Sequence, residues 1–70
     1  MAFNGSKLRE LRVEKGMNAT QLSYNIFKVV GDRITRPSIE RWEKGITIPR
    51  ADKIAIISKY FNVTPDIFFD

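Results

Sequence analysis

Apolar residues recur at intervals of three and four through most of this chain, the spacing of amphipathic helices. Leu8 and Leu11 predict a first helix over Ser6–Lys15, with Lys7, Arg9, Glu10, Glu14 and Lys15 outward, Phe3 beneath its start and Gly16 ending it. Met1 to Gly5 reads as a lead-in. Arg12 lies one turn on from Leu8 and borders the apolar face, so it is either a snorkelling surface arginine or a buried partner for a carboxylate. Asn18 caps a second helix, with Ala19, Thr20 and Gln21 in its first turn and Leu22, Ile26 and Val29 or Val30 as its stripe. On that reading the helix runs to Val30 and Gly31 stops it. Tyr24 and Phe27 fit either core or surface, and Ile34 is expected to be a buried anchor.

Thr35 caps a third helix, Pro37 sits in its first turn, and Gly45 closes it. Ile39 and Trp42, three apart, form its apolar stripe; Arg36, Ser38, Glu40, Arg41 and Lys44 point elsewhere. Trp42 is read as core. Pro49 forbids early continuation through the loop that follows, so a fourth helix starts at Arg50 or Ala51. Its stripe is Ile54, Ile57, Tyr60 and Phe61, helped by Ala55, and Asn62 is its left-handed C-cap. Thr64-Pro65-Asp66 restarts a fifth helix, as N-cap, proline and first-turn acid, before Ile67, Phe68 and Phe69. The prediction is an all-α fold of five short helices in a single domain, residues 1–70.

Composition narrows the chemistry. Seventy residues, 43% of them hydrophobic, suffice for one core, although a chain this small buries only about 60% of its unfolded surface. There is no cysteine and no histidine, which removes disulfides, thiolate chemistry, the usual zinc ligands and the commonest general base. Glu40 and Glu43 are neighbours on one helix rather than an acid–base pair. No enzyme activity, metal or cofactor is expected. No apolar run approaches the roughly 18 residues that a membrane span needs, so no membrane association and a cytoplasmic location are expected.

The net charge is +4, and its placement matters more than its size. Residues 28–50 carry six basic side chains (Lys28, Arg33, Arg36, Arg41, Lys44, Arg50) against three acids, whereas residues 51–70 carry two against three. The excess surrounds the third helix. A short helix anchored by Ile39 and Trp42, with arginines turned outward, suits recognition of duplex DNA.

The ordered set of Ser38-Ile39-Glu40-Arg41-Trp42-Glu43-Lys44-Gly45, a proline four residues on, and Phe61-Asn62-Val63-Thr64-Pro65-Asp66-Ile67-Phe68 resembles the Cro/C1-type (XRE-like, lambda repressor-like) helix-turn-helix domains of bacterial and phage regulators. The likeness runs from Phe3 to Phe69. It implies a compact five-helix DNA-binding fold whose third helix, about residues 36–44, enters the major groove. It also implies that Arg36, Pro37, Ser38 and Arg41 read bases: Arg36 by a bidentate pair with guanine, Pro37 by apolar contact with a thymine methyl, Ser38 by close approach. Arg41 fits a base or a phosphate equally. Lys44, Thr47 and Arg50 match positions that grip the backbone, as does Asn18; Gln21 and Thr35 are grouped with them. The resemblance pairs Arg12 with Glu43 as a structural ion pair.

Two departures from the family pattern stand out. Ala19 occupies the place where many members carry a glutamine that clamps a phosphate, with Gln21 two residues later. Leu22 and Ile39 are about six residues further apart than usual, the extra residues lying around Phe27–Asp32. Either the second helix is longer by more than a turn, which is favoured, or the turn is a loop. The extension can bring Lys28 and Arg33 toward the DNA backbone or shape a partner surface.

A transcriptional regulator, most often a repressor, is the leading expectation, acting on a palindromic operator as a homodimer because one module buries little DNA. Ile67-Phe68-Phe69 suits the core or an interface, and family endings of this kind often precede a further C-terminal domain. The alternative is a protein-binding antitoxin or adaptor module on the same fold, favoured by Ala19 and by apolar Phe27, Val29 and Val30.

Overall fold

A computed structural model of the protein describes residues 2–70. Four α-helices follow one another: α1 (Gly5–Glu14), α2 (Ala19–Val30), α3 (Arg36–Lys44) and α4 (Ala51–Phe61). The predicted fifth α-helix is instead a single 3-10 turn, Pro65–Phe68. The chain has a use for its last residues that a longer helix would prevent. Phe69 leaves the turn in extended conformation and pairs with Phe3 as an antiparallel bridge. Asn4 N–H donates to the Phe68 carbonyl at 2.6 Å, and Asp70 N–H donates to that of Ala2 at 3.2 Å. The Phe3 ring stacks on Phe68, centroids 5.8 Å apart, and meets Phe69 edge-on. Phe68 is fully buried while Ile67 and Phe69 pack partly buried against the core, so core packing accounts for this aromatic ending. Thr64 is the N-cap residue of the turn, as expected, although its side chain makes no capping hydrogen bond.

The helix boundaries follow from local chemistry. Asn4, not Ser6, starts α1: its side chain accepts from Lys7 N–H, and Gly5 lies inside the helix rather than in a lead-in. Gly5 is buried because a Cβ there would overlap the Trp42 carbonyl oxygen and stand 2.8 Å from that of Glu43. The missing side chain lets the start of α1 abut the end of α3, with the dipoles of the two termini complementary. The second helix continues to Val30 and is stopped by Gly31 in the left-handed region at φ 87°, which is the longer-helix reading of residues 27–32. Burial of Val29 is not what holds that end, for Val29 is 71% exposed. Tyr24 and Phe27 are also on the surface.

The core is Leu8, Leu22, Ile26, Ile34, Ile39, Ile57 and Phe68, all essentially inaccessible, with Ala19, Trp42, Ile54 and Phe61 around them. In α4 the stripe takes in the partly buried Ile56; Ala55 faces solvent, a correction to its expected place. Asn62 closes α4 in the left-handed conformation, φ 57°. The third helix packs on α1 and α2, α2 also packs on α4, and the 3-10 turn packs on α1 and α4. α3 is thus supported from behind, through Ile39 and Trp42, by α1 and α2.

Candidate nucleic-acid interface

α3 is short, and every position in it has an assigned direction. Thr35 caps it by accepting from Ser38 N–H, and the Thr35 and Ser38 hydroxyls are 3.0 Å apart. Pro37 fits in the first turn, where a backbone donor would have no partner inside the helix. Gly45 ends the helix in the left-handed conformation, φ 74°. Ile39 and Trp42 are buried; Arg36, Pro37, Arg41 and Lys44 are exposed, and Ser38 is half-buried beside them. Nine residues at 1.5 Å each give roughly 13 Å of helix, and a helix diameter of about 10–12 Å suits a major groove about 12 Å wide.

The exposed arginines differ in their partners. Arg36 Nη1 donates to both oxygens of Glu40, at 3.0 and 3.2 Å. Arg41 makes no ion pair among the described residues. Arg12 and Glu43, which the structure places between α1 and α3, are a closed fork. Arg12 Nε donates to Glu43 Oε2 at 2.7 Å and Nη2 to Oε1 at 2.8 Å, while Nη1 donates to the Met17 carbonyl at 2.9 Å. Their side chains are only 14% and 7% exposed. The hydrogen bond to Glu43, outweighing the cost of burial, holds the Arg12 guanidinium above its ordinary pKa. This pair carries no free charge outward and fixes the chain just ahead of α2.

The residues expected to hold the DNA backbone form two groups. Asn18 and Gln21 make a capping box: Asn18 Oδ1 accepts from Gln21 N–H and Gln21 Oε1 accepts from Asn18 N–H, each at 2.8 Å. Both acceptors are used, and both side-chain NH₂ groups stay free to donate. Asn18 and Lys44 line one cleft of about 360 Å³ with Arg9, Arg12, Ala19, Glu40 and Glu43. Arg9 was missed in the sequence reading; its position one turn before Arg12 is the available signal. Thr47 and Arg50 are exposed in and after the α3–α4 loop, with Arg50 Nε 3.9 Å from Asp52. Thr35 is the least available of the set, because its hydroxyl is engaged in capping.

Lys28 and Arg33 belong to the second group, at the other end of α2. Lys28 Nζ lies 5.7 Å from the centre of the Tyr24 ring and the Arg33 guanidinium 5.2 Å from that of Phe27. The rings are laid against charged side chains rather than packed inside.

A short helix held from behind, preceded across a turn by a capped helix and showing arginines outward, is the arrangement of a helix-turn-helix domain. The family model described as helix-turn-helix matches residues 8–68. The chain belongs to that family, in its Cro/C1-type, XRE-like form. A relative from Enterococcus faecalis named "HTH-type transcriptional activator BcrR" is 35% identical over 66 residues, which are 94% of this chain and 29% of the relative. The chain therefore spans about three tenths of that protein's length. No solved structure matches the chain. No helix among the described residues is long and apolar enough to cross a membrane, and no group of three or more potential metal ligands occurs among them.

Proposed function

We propose that this domain, residues 1–70, binds double-stranded DNA sequence-specifically as the reading head of a transcription regulator, with α3 in the major groove. The observation that carries the reading is the division of α3: Ile39 and Trp42 lock it to the core while Arg36, Pro37 and Arg41 stand clear of it. Arg36 and Arg41 read base edges, with Pro37 and Ser38 allowing close approach. The free amides of Asn18 and Gln21, together with Lys44, Thr47 and Arg50, hold phosphates along one side. Lys28 and Arg33 reach the backbone from the far end of α2, and Thr35 contributes through the turn it caps. One such module buries about 600–1,000 Å² on DNA, so two copies on half-sites about 34 Å apart make the functional unit. Repression by occupying an operator needs only this binding, and it is the mode we propose; the relative's name is that of an activator.

The test is the salt dependence of binding to duplex DNA. Lys44→Ala and Arg50→Ala are each expected to lower the slope of log K against log salt by about 0.9, the share of one phosphate contact on B-form DNA. Unchanged slopes in both variants would remove them from the interface. A second reading, a protein-binding antitoxin or adaptor, draws on the exposed Tyr24, Phe27 and Val29 of α2, which are 59%, 47% and 71% accessible. It predicts that Phe27→Ser leaves DNA affinity intact and abolishes capture of a protein partner.

A further inference from the structure

We propose that Glu40 is a positioning residue for base reading, holding Nη1 of Arg36 so that the Nε–Nη2 edge of the guanidinium is presented to a guanine. The inference rests on the DNA-binding reading above and adds to it a residue and the way it acts. Its basis is the contrast between two arginine–glutamate pairs in the same small domain. The pair formed by Arg12 and Glu43 uses the whole Nε–Nη2 edge, and the Met17 carbonyl takes a hydrogen of Nη1, so that two-donor edge is not available to a ligand. In the Arg36–Glu40 pair both carboxylate oxygens converge on Nη1 alone. Among the described residues the Nε–Nη2 edge of Arg36 has no partner, and that edge makes the planar two-donor fork that matches guanine O6 and N7.

Helix stability does not account for this pair. Arg36 is the first residue of α3, whose first turn has no acidic residue, so its charge opposes the positive end of the helix dipole. The order is Arg before Glu at i and i+4, the weaker orientation for an exposed pair, and the side chains are 53% and 42% exposed. A pair so placed adds little to folding. It does restrict a long side chain before DNA arrives, which lowers the ordering cost of the contact. The backbone from which Arg36 departs is itself fixed by the Thr35–Ser38 cap and by Pro37.

Glu40 also brings a negative charge to a surface that faces phosphates. Its presence costs affinity for DNA in general and yields discrimination, so removing it moves the two quantities in opposite directions. A merely structural residue has no such signature.

The experiment is a double-mutant cycle on the duplex recovered by wild-type protein from a random-sequence library. Dissociation constants are measured for that duplex, for versions with each guanine replaced in turn, and for a scrambled duplex. Glu40→Ala is expected to reduce preference for guanine at one base pair per half-site by about fivefold or more, the lower range for a bidentate pair. The scrambled duplex should bind as tightly or more tightly. Glu40→Gln, which keeps an acceptor for Nη1, should retain part of the preference. In an Arg36→Ala background, Glu40→Ala should cause no further loss of preference. The inference is overturned if Glu40→Ala leaves the preference unchanged, or if the loss is as large without Arg36, since Glu40 would then touch a base itself. If Arg36→Ala loses the preference and Glu40→Ala keeps it, only the role of Glu40 falls. If Arg36→Ala keeps every preference, the reading role of Arg36 falls, and the inference with it.

Discussion

Replacing Arg12 by methionine keeps most of the buried stem and removes the guanidinium. The Glu43 carboxylate, 7% exposed and held by hydrogen bonds of 2.7 and 2.8 Å, is then left without a counter-charge, and the Met17 carbonyl loses its donor. Stranding one member of a buried pair costs about 3–5 kcal/mol. A domain of 70 residues has about 4–10 kcal/mol of stability in total, so the variant is expected near its unfolding threshold. At about 4–8 °C per kcal/mol for this size, the midpoint should fall by roughly 12 °C or more. Because the folded-state pKa of Arg12 lies above its ordinary value, the arginine's contribution is present at neutral pH and fades as pH climbs through its alkaline titration. Urea unfolding followed by far-ultraviolet circular dichroism measures the loss, with Arg12→Met, Glu43→Leu and the double variant run together. The double variant should recover most of what either single change loses, since an apolar pair of similar volume has no charge to strand. A cost under about 1 kcal/mol for the single changes, the range of exposed pairs, would refute the reasoning.

Two further outcomes test other joints of the fold. Gly5→Ala forces a methyl group against the Trp42 and Glu43 carbonyls and is expected to cost about 1–3 kcal/mol, with α1 and α3 pushed apart; urea unfolding checks it, and a neutral result denies the close approach. Asn18→Ala breaks the capping box at the start of α2, costing about 1 kcal/mol of stability, and should also weaken DNA binding at the recovered site. Loss of stability with undiminished affinity assigns Asn18 to capping alone.

The helices were readable because caps and apolar spacing agree. Asn18, Thr35, Gly31, Gly45 and Asn62 mark their boundaries, and Leu22, Ile26, Ile39 and Ile57 fall on the buried side. Features that depend on two distant segments meeting were not readable from spacing. Gly5 looks like any lead-in glycine until the end of α3 is set against it. Phe69 looks like another helical aromatic until Phe3, at the other end of the chain, draws it into an extended pair. The spacing of Leu8 and Arg12 left the arginine between surface and core, and Glu43 comes to it from thirty-one residues away. At the interface, residue type suggested which side chains suit DNA, but not their existing partners. Glu40 on Arg36, Tyr24 under Lys28 and Phe27 under Arg33 come from the folded surface.

Binding selection from a random duplex library at about 150 mM salt, near physiological ionic strength, tests sequence-specific recognition by α3 most directly when wild type and Arg36→Ala are run in parallel. The account predicts a palindromic motif whose preference relaxes at one base pair per half-site in the variant. Recovery of no motif, with the two proteins losing affinity alike as salt rises, would contradict it.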